Sequence, residues 1–199
     1  MHSLAKDWHI DPQGWLTAAR HCPSPNFDAR PPGSAVELLV VHAISLPPGQ
    51  YGGGFVEDFF CNRLDSSRHP YFEEIHGMEV SAHCLIERDG RLTQFVSFED
   101  RAWHAGVSCW QGRERCNDFS IGVELEGCDE EGFDPRQYRQ LARLAIALGR
   151  RYPALQTRSL AEAICGHSDI APGRKTDPGP GFDWAHFRSL LKTTTNRKT

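Results

Sequence analysis

The chain has 199 residues and a formal net charge of −4, and its basic residues are scattered, which argues against a nucleic-acid partner. No apolar run approaches the roughly 18 residues that a membrane span requires, and no signal-peptide pattern opens the sequence. We therefore expect one soluble, cytoplasmic, monomeric domain over residues 1–199. Its core should span about 15–190, with a flexible tail over 191–199.

The seven cysteines are odd in number, widely spaced and without a CxxC pair. That pattern favours reduced thiols, mostly buried as small hydrophobic residues, over a disulfide framework or a zinc knuckle.

Three segments predict strands of a sheet. Residues 36–44 form a continuous β-branched and apolar run, which is typical of a buried central strand. Two short strands flank Asp89 and Gly90, a dipeptide favoured in hairpin turns. Residues 120–126 form a further strand, interrupted by Gly122.

The clearest predicted helix begins after Asp134, a good N-cap, with Pro135 in the first helical position, and ends before Pro153. Apolar residues recur at spacings of three and four along it. Weaker helical patterns occupy 11–21, 54–64 and 183–191, and a short strand is expected at 161–165. The fold class is α/β (α+β), with a central mixed sheet flanked by helices.

Two histidines stand where buried strands end. His42 follows the apolar run of the first strand, and His167 follows the short strand at 161–165, with Asp177 ten residues later. Two imidazoles and one carboxylate are a sound zinc set, because they leave a fourth tetrahedral position open for water. Spacing alone leaves alternatives open, since His42 can be a structural histidine and Asp177 a turn residue.

Two charged residues fit a hydrolytic site. Glu124 lies on an apolar strand, where a carboxylate is costly to bury unless it is paired or functional, whereas Glu126 can reach solvent at the strand end. Lys175 lies two residues before Asp177 and could stabilise an oxyanion, although a solvated loop lysine is the simpler interpretation.

Six segments in a fixed order carry a resemblance: "LLVVHAISLPPGQYGGG", "HPYFEEI", "VSAHCLIERDG", "RAWHAGVS", "GRERCNDFSIGVELEG" and "GHSDIAPGRKTDPGP". Together they resemble the AmpD-type cytoplasmic zinc amidases, which are related to phage T7 lysozyme and the peptidoglycan recognition proteins. The resemblance covers roughly residues 15–188.

The resemblance implies hydrolysis of the amide between the lactyl group of 1,6-anhydro-N-acetylmuramic acid and L-alanine in recycled muropeptides. It also implies that the reaction lowers the signal that induces a β-lactamase. The family's zinc ligands fall on His42, His167 and Asp177, its catalytic glutamate on Glu124 and its catalytic lysine on Lys175. Glu124 would act as general base, and zinc with Lys175 would stabilise the oxyanion.

Four residues are candidates for substrate contact. Trp103 and His104 offer an aromatic and a polar ring to a sugar, although Trp103 can equally be a core residue. Arg115 and Asn117 could bind a peptide carboxylate, and the family pattern favours Arg115.

The chain departs from the family pattern at two positions. Ala43 stands where asparagine is usual after the first ligand, and Glu79 stands where arginine is frequent. Ala43 removes a polar contact near the metal or substrate, and the reversed charge at Glu79 should weaken binding of an acidic stem peptide unless Arg115 or another residue compensates. We expect hydrolysis to survive with altered peptide preference or affinity. An alternative function is non-catalytic binding of peptidoglycan fragments on the same fold, and the intact ligand and catalytic positions favour the enzyme.

Overall fold

The computed structural model describes residues 8–157 and 159–195. Within those ranges, no helix is both long and apolar enough to cross a membrane. All seven cysteines are free thiols, as the sequence predicts.

A six-stranded mixed sheet forms the centre of the molecule, in the order β1-β5-β4-β9-β3-β10. Its pairs are parallel except for the antiparallel hairpin β4-β5. Two small antiparallel pairs, β2-β6 and β7-β8, lie outside it. The strands are β1 Arg20–His21, β2 Phe27–Ala29, β3 Leu38–Ile44, β4 Cys84–Ile86, β5 Leu92–Gln94, β6 Asp100–Ala102, β7 Cys109–Trp110, β8 Arg113–Glu114, β9 Ser120–Glu126 and β10 Ile164–Gly166.

In the described part of the chain, five helices and three 3₁₀ turns connect and cover the strands. The helices are α1 Phe55–Phe60, α2 Pro70–Glu74, α3 Pro135–Arg151, α4 His167–Ile170 and α5 Trp184–Thr195, and the 3₁₀ turns are Ser66–Arg68, Cys116–Asp118 and Pro153–Gln156.

The two central strands, β3 and β9, run side by side in a register that pairs His42 with Glu124 and Val40 with Gly122. Side chains alternate between the two faces of a sheet, so paired residues point to the same side. Leu39 and Val41 belong to the main core cluster, together with residues of α3 and α5. His42 and Glu124 therefore point to the opposite face, and this places the site away from the long helices.

Helix α3 has the start that the sequence predicts. The Asp134 side chain accepts a hydrogen bond from the backbone N–H of Arg136, and Gln137 completes a capping box. The predicted apolar stripe, from Tyr138 to Leu148, is buried against the sheet. The helix ends at Arg151, just before Pro153.

The helix predicted at 11–21 is wrong, because this segment contains turns followed by β1. The buried side chain of Gln94 accepts from the backbone N–H of Leu16 and donates to the carbonyl of Gly14. Asp11 also accepts from the N–H of Trp15. These bonds satisfy the backbone outside a helix.

Helix α5 continues to Thr195, so it includes the first five residues of the tail that the sequence predicts to be flexible. The remainder of that tail, 196–199, lies outside the described residues.

Candidate metal centre

Three side chains from separate elements converge on one point. His42 comes from β3, His167 opens α4 directly after β10, and Asp177 lies in the loop that follows α4. The Nδ1 atoms of the two histidines are 3.0 Å apart, and each lies 3.2 Å from Oδ2 of Asp177. The group is buried, apart from part of the Asp177 carboxylate, and it is able to hold a metal ion.

The local fold explains how residues ten apart in sequence meet. The Ser168 backbone N–H donates to the carbonyl of Asp177 at 3.0 Å, which ties the end of the loop to the start of α4. Asp169 accepts from the N–H of Gly166 at 2.7 Å and anchors the turn between β10 and α4. Asp169 thus has the structural role that its position suggests.

Burial and neighbouring charges shift the pKa values of the group in opposite directions. Burial lowers the pKa of His42, against a raising effect of Asp177. Burial acts to raise the pKa of Asp177, but hydrogen bonds with His167 and His42 outweigh it and hold that pKa well below its usual range. The set at neutral pH therefore combines a neutral His42 with an ionised Asp177, which is the protonation that a cation requires.

Glu124 is the second acidic side chain of the site, and it is buried. Burial raises its pKa well above the ordinary value, the nearby Asp177 charge raises it further, and Lys175 opposes the shift. Within the described part of the chain, its buried Oε2 atom has no hydrogen-bond partner. A carboxyl group left in this state is a candidate for chemistry, because structural carboxylates are normally paired.

A cavity of about 570 Å³ opens over these residues. The metal-binding group, Glu124 and Lys175 lie along its lining. One wall is largely apolar and is supplied in part by the segments around α1 and α2; its members include Leu46, Phe59, Phe60, Tyr71, Ile75, Met78 and Val80. No sequence pattern predicts this wall, because apolar residues of this kind are also typical of an ordinary core.

Trp103 and His104 lie in the same cavity. The indole N–H of Trp103 donates to Asp28 at 3.3 Å, so the ring is held at the edge of the cavity. Both ring nitrogens of His104 have protein partners, because Nδ1 lies 2.9 Å from Nε2 of His42 and Nε2 lies 3.1 Å from Oγ of Ser120.

Arg115 and Asn117 do not line this cavity. The Arg115 side chain is 71% exposed, pairs with Asp118 and borders a separate depression. The Asn117 amide oxygen accepts from the backbone N–H groups of His104 and Ala105 at 3.2 and 2.8 Å. Asn117 therefore fixes the loop that carries His104.

Glu126 does not reach solvent, contrary to the sequence expectation. It is 5% exposed, and its carboxylate accepts from the backbone N–H groups of Gly52 and Arg88. Its hydrogen bonds join the loop before α1 to β9, which gives Glu126 a structural role distinct from that of Glu124. Of the two departures from the family pattern, Ala43 lines the cavity, whereas Glu79 is exposed beside it.

Comparison with known proteins agrees with this architecture. A profile of the N-acetylmuramoyl-L-alanine amidase family matches residues 32–180. The 1,6-anhydro-N-acetylmuramyl-L-alanine amidase AmpD of Citrobacter freundii is 54% identical over 94% of this chain and 97% of that protein. AmpD of Escherichia coli strain K12 is 55% identical over 92% and 97%, respectively.

Solved structures give the same result. The crystal structure of a selenomethionine AmpD derivative superposes with a TM-score of 0.86 at 55% identity, covering 92% of this chain and 98% of that one. The amidase AmiD of E. coli, solved with anhydro-N-acetylmuramic acid-L-Ala-D-γ-Glu-L-Lys, gives a TM-score of 0.56 at 28% identity, covering 93% and 66%. The chain belongs to the N-acetylmuramoyl-L-alanine amidase family and, within it, to the AmpD group.

Proposed function

We propose that this chain is a zinc-dependent amidase that separates L-alanine from the lactyl group of 1,6-anhydro-N-acetylmuramic acid in muropeptides. The observation that carries the proposal is the buried set of His42, His167 and Asp177 in one cavity with Glu124, whose Oε2 has no hydrogen-bond partner among the described residues. The bond that is cleaved and the sugar that carries it are inferred from the names of the AmpD relatives.

The donor set fits zinc. A tetrahedral zinc ion with ligand distances of about 2.0–2.2 Å separates its donors by roughly 3.3 Å. The separations here are 3.0 Å between the two Nδ1 atoms and 3.2 Å from each to Oδ2 of Asp177, so little movement would be needed. Two nitrogen donors and one oxygen donor are also a usual combination for catalytic zinc, with one position open.

Zinc in this site would supply Lewis acidity, which polarises an amide carbonyl and acidifies water. Glu124 would act as the general base that takes a proton from the attacking water. Burial raises the pKa of Glu124 above the ordinary glutamate value, and a carboxylate with a raised pKa is a stronger proton acceptor. Glu124 faces the same side of the sheet as His42, and this supports its proposed role as the base.

Lys175 would donate to the oxygen that becomes negative as water adds to the carbonyl carbon. It lines the cavity, and its charge acts on both Glu124 and His42. As the carbon–nitrogen bond breaks, Glu124 would pass the proton from water to the departing L-alanine nitrogen. Water and amide are then converted into a carboxylic acid and an amine, with Glu124 regenerated.

The shape of the cavity supports a sugar-peptide substrate. Its apolar wall and the Trp103 ring offer a surface for the apolar face of the anhydro sugar, while polar residues of the lining include the metal-binding set. The solved AmiD complex contains an anhydromuramyl peptide. Because Arg115 lies outside this cavity, its contact with the peptide carboxylate is a separate proposal that requires the peptide to extend over the neighbouring depression.

Four further properties stay predictions: a cytoplasmic location, a monomeric state, a lack of nucleic-acid and membrane partners, and an effect on β-lactamase induction. The last is implied by the family resemblance, and the absence of nucleic-acid and membrane partners is expected from charge and hydropathy.

Product analysis tests the proposed reaction. Zinc-quantified protein is incubated with anhydromuramyl-tripeptide and, separately, with intact peptidoglycan, and the products are identified by mass. We expect free tripeptide from the first substrate and little release from the second. No cleavage of either substrate by zinc-loaded protein would refute the proposal and favour the non-catalytic binding function.

A further inference from the structure

We infer that His104 is a positioning residue that holds the metal ligand His42 in the orientation and tautomer needed for metal binding. This inference rests on the proposed function, since it concerns the same metal site. It assigns to His104 a role other than the sugar contact expected from the sequence.

A hydrogen bond joins the imidazole rings of His42 and His104. His42 directs Nδ1 towards His167 and Asp177, and its Nε2 lies 2.9 Å from Nδ1 of His104. A neutral imidazole that offers the lone pair of one nitrogen to a cation carries its proton on the other nitrogen. His42 Nε2–H must therefore donate, and His104 Nδ1 is the acceptor that it meets.

His104 also has a partner for the proton that its accepting tautomer carries. Its Nε2 lies 3.1 Å from Oγ of Ser120, which can accept the proton on that nitrogen. Ser120 is fully buried at the first position of β9. A continuous chain of hydrogen bonds thus runs from Ser120 through His104 to His42. Partners of this kind orient a metal ligand and fix its tautomer.

The His104 ring packs directly against Gly122. A Cβ atom at residue 122 would lie 2.4 Å from Cγ of His104 and 2.6 Å from its Nδ1, far inside contact distance. Every second residue of a strand points to the same face, so one face of β9 carries Ser120, Gly122 and Glu124. Gly122 has no side chain, and the imidazole of His104 fills the space that this leaves. The glycine that interrupts the strand pattern is therefore explained by the ring packed against it.

The neighbouring residue performs the same task for the second histidine ligand. The Ala105 carbonyl lies 3.2 Å from Nε2 of His167 and is also bound by Arg174 at 2.6 Å. Asn117 holds the backbone of residues 104 and 105 through two N–H groups. One short segment thus supplies a partner to each histidine ligand, which strengthens the assignment of His104.

A matched pair of substitutions tests the inference. In His104→Asn the amide oxygen can take the place of the accepting Nδ1, whereas the similarly sized His104→Leu has no acceptor. Zinc affinity is measured by competition with a chromogenic chelator. Loss of an outer partner of a metal ligand costs about 10–100-fold in affinity, so we expect that loss for the leucine variant and substantial recovery for the asparagine variant. The smaller change Ser120→Ala should weaken zinc binding several-fold.

A second readout and a control separate positioning from general damage. The visible absorption spectrum of the cobalt-loaded protein should change in His104→Leu and resemble the native spectrum in His104→Asn. Gln137→Leu removes a buried polar side chain bonded to the Ile86 and Glu126 carbonyls, outside the metal-site cavity, and should leave zinc affinity unchanged.

The outcomes are distinct. Native zinc affinity in His104→Leu and Ser120→Ala would overturn the inference, as would equal losses in the leucine and asparagine variants with unchanged cobalt spectra. Failure of the native protein to bind zinc would instead refute the proposed metal site.

Discussion

Replacing Glu124 by glutamine should separate activity from stability at this site. The substitution preserves the shape of the side chain but removes the charge next to Asp177 and the ability to accept and return a proton. Loss of a general base lowers the rate by about 10²–10⁴-fold, and we expect kcat to fall within that range with zinc content unchanged.

The same substitution should stabilise the metal-free protein at alkaline pH. Burial raises the folded-state pKa of Glu124 above its ordinary value of 4.5. The folded state therefore holds the proton more tightly than the unfolded state, and native stability falls as the pH rises from 4.5 through the raised pKa. Glutamine does not ionise, so the advantage of the variant should be smallest near pH 4.5 and largest near pH 8. A buried polar group without a partner costs about 1–3 kcal/mol, which sets the expected size of the gain.

Urea unfolding of both metal-free proteins at pH 5 and pH 8 measures this difference, and product release measures kcat. A variant that is less stable than the native protein at pH 8 would show that the carboxylate is a structural group. Near-native turnover would show that Glu124 is not the base.

Three further predictions follow from neighbouring residues. Gly122→Ala should destabilise the metal-free protein by about 1–3 kcal/mol in urea unfolding, because the new Cβ collides with His104; an unchanged free energy of unfolding would contradict this packing. Lys175→Ala should lower kcat by about 10²-fold or more at normal zinc content, and near-normal turnover would remove the lysine from the reaction. The double variant Ala43→Asn, Glu79→Arg should bind a diaminopimelate-containing substrate with a lower KM than the native protein; an equal or higher KM would show that these two positions do not limit peptide binding.

The sequence was most informative where the signal is local or repeated. Helix α3 follows from its N-cap, its proline and its apolar spacing, and β9 was predicted with the bounds that the structure has despite the interruption at Gly122. His42, His167 and Asp177 were suggested by chemistry and position, and the family resemblance joined them into one set. The structure brings their donor atoms together.

The misjudged features depend on contacts between distant segments. The segment at 11–21 has helical spacing, but Gln94, about eighty residues away, satisfies its backbone outside a helix. Glu126 lies at a strand end, yet the loop at Gly52 covers it. Asn117 was a candidate for contact with a peptide carboxylate, and in the structure its side-chain oxygen accepts from the backbone N–H groups of residues 104 and 105. Composition and periodicity carry no information on such pairings.

Zinc titration of the metal-free enzyme tests the central claim most directly. Chelator-treated protein receives zinc in steps, and bound zinc and release of tripeptide from anhydromuramyl-tripeptide are measured in the same samples. A single site at His42, His167 and Asp177 predicts that activity rises in proportion to bound zinc and saturates at one ion per chain. Full activity without zinc, or equal zinc binding and activity in an Asp177→Ala variant, would contradict the claim.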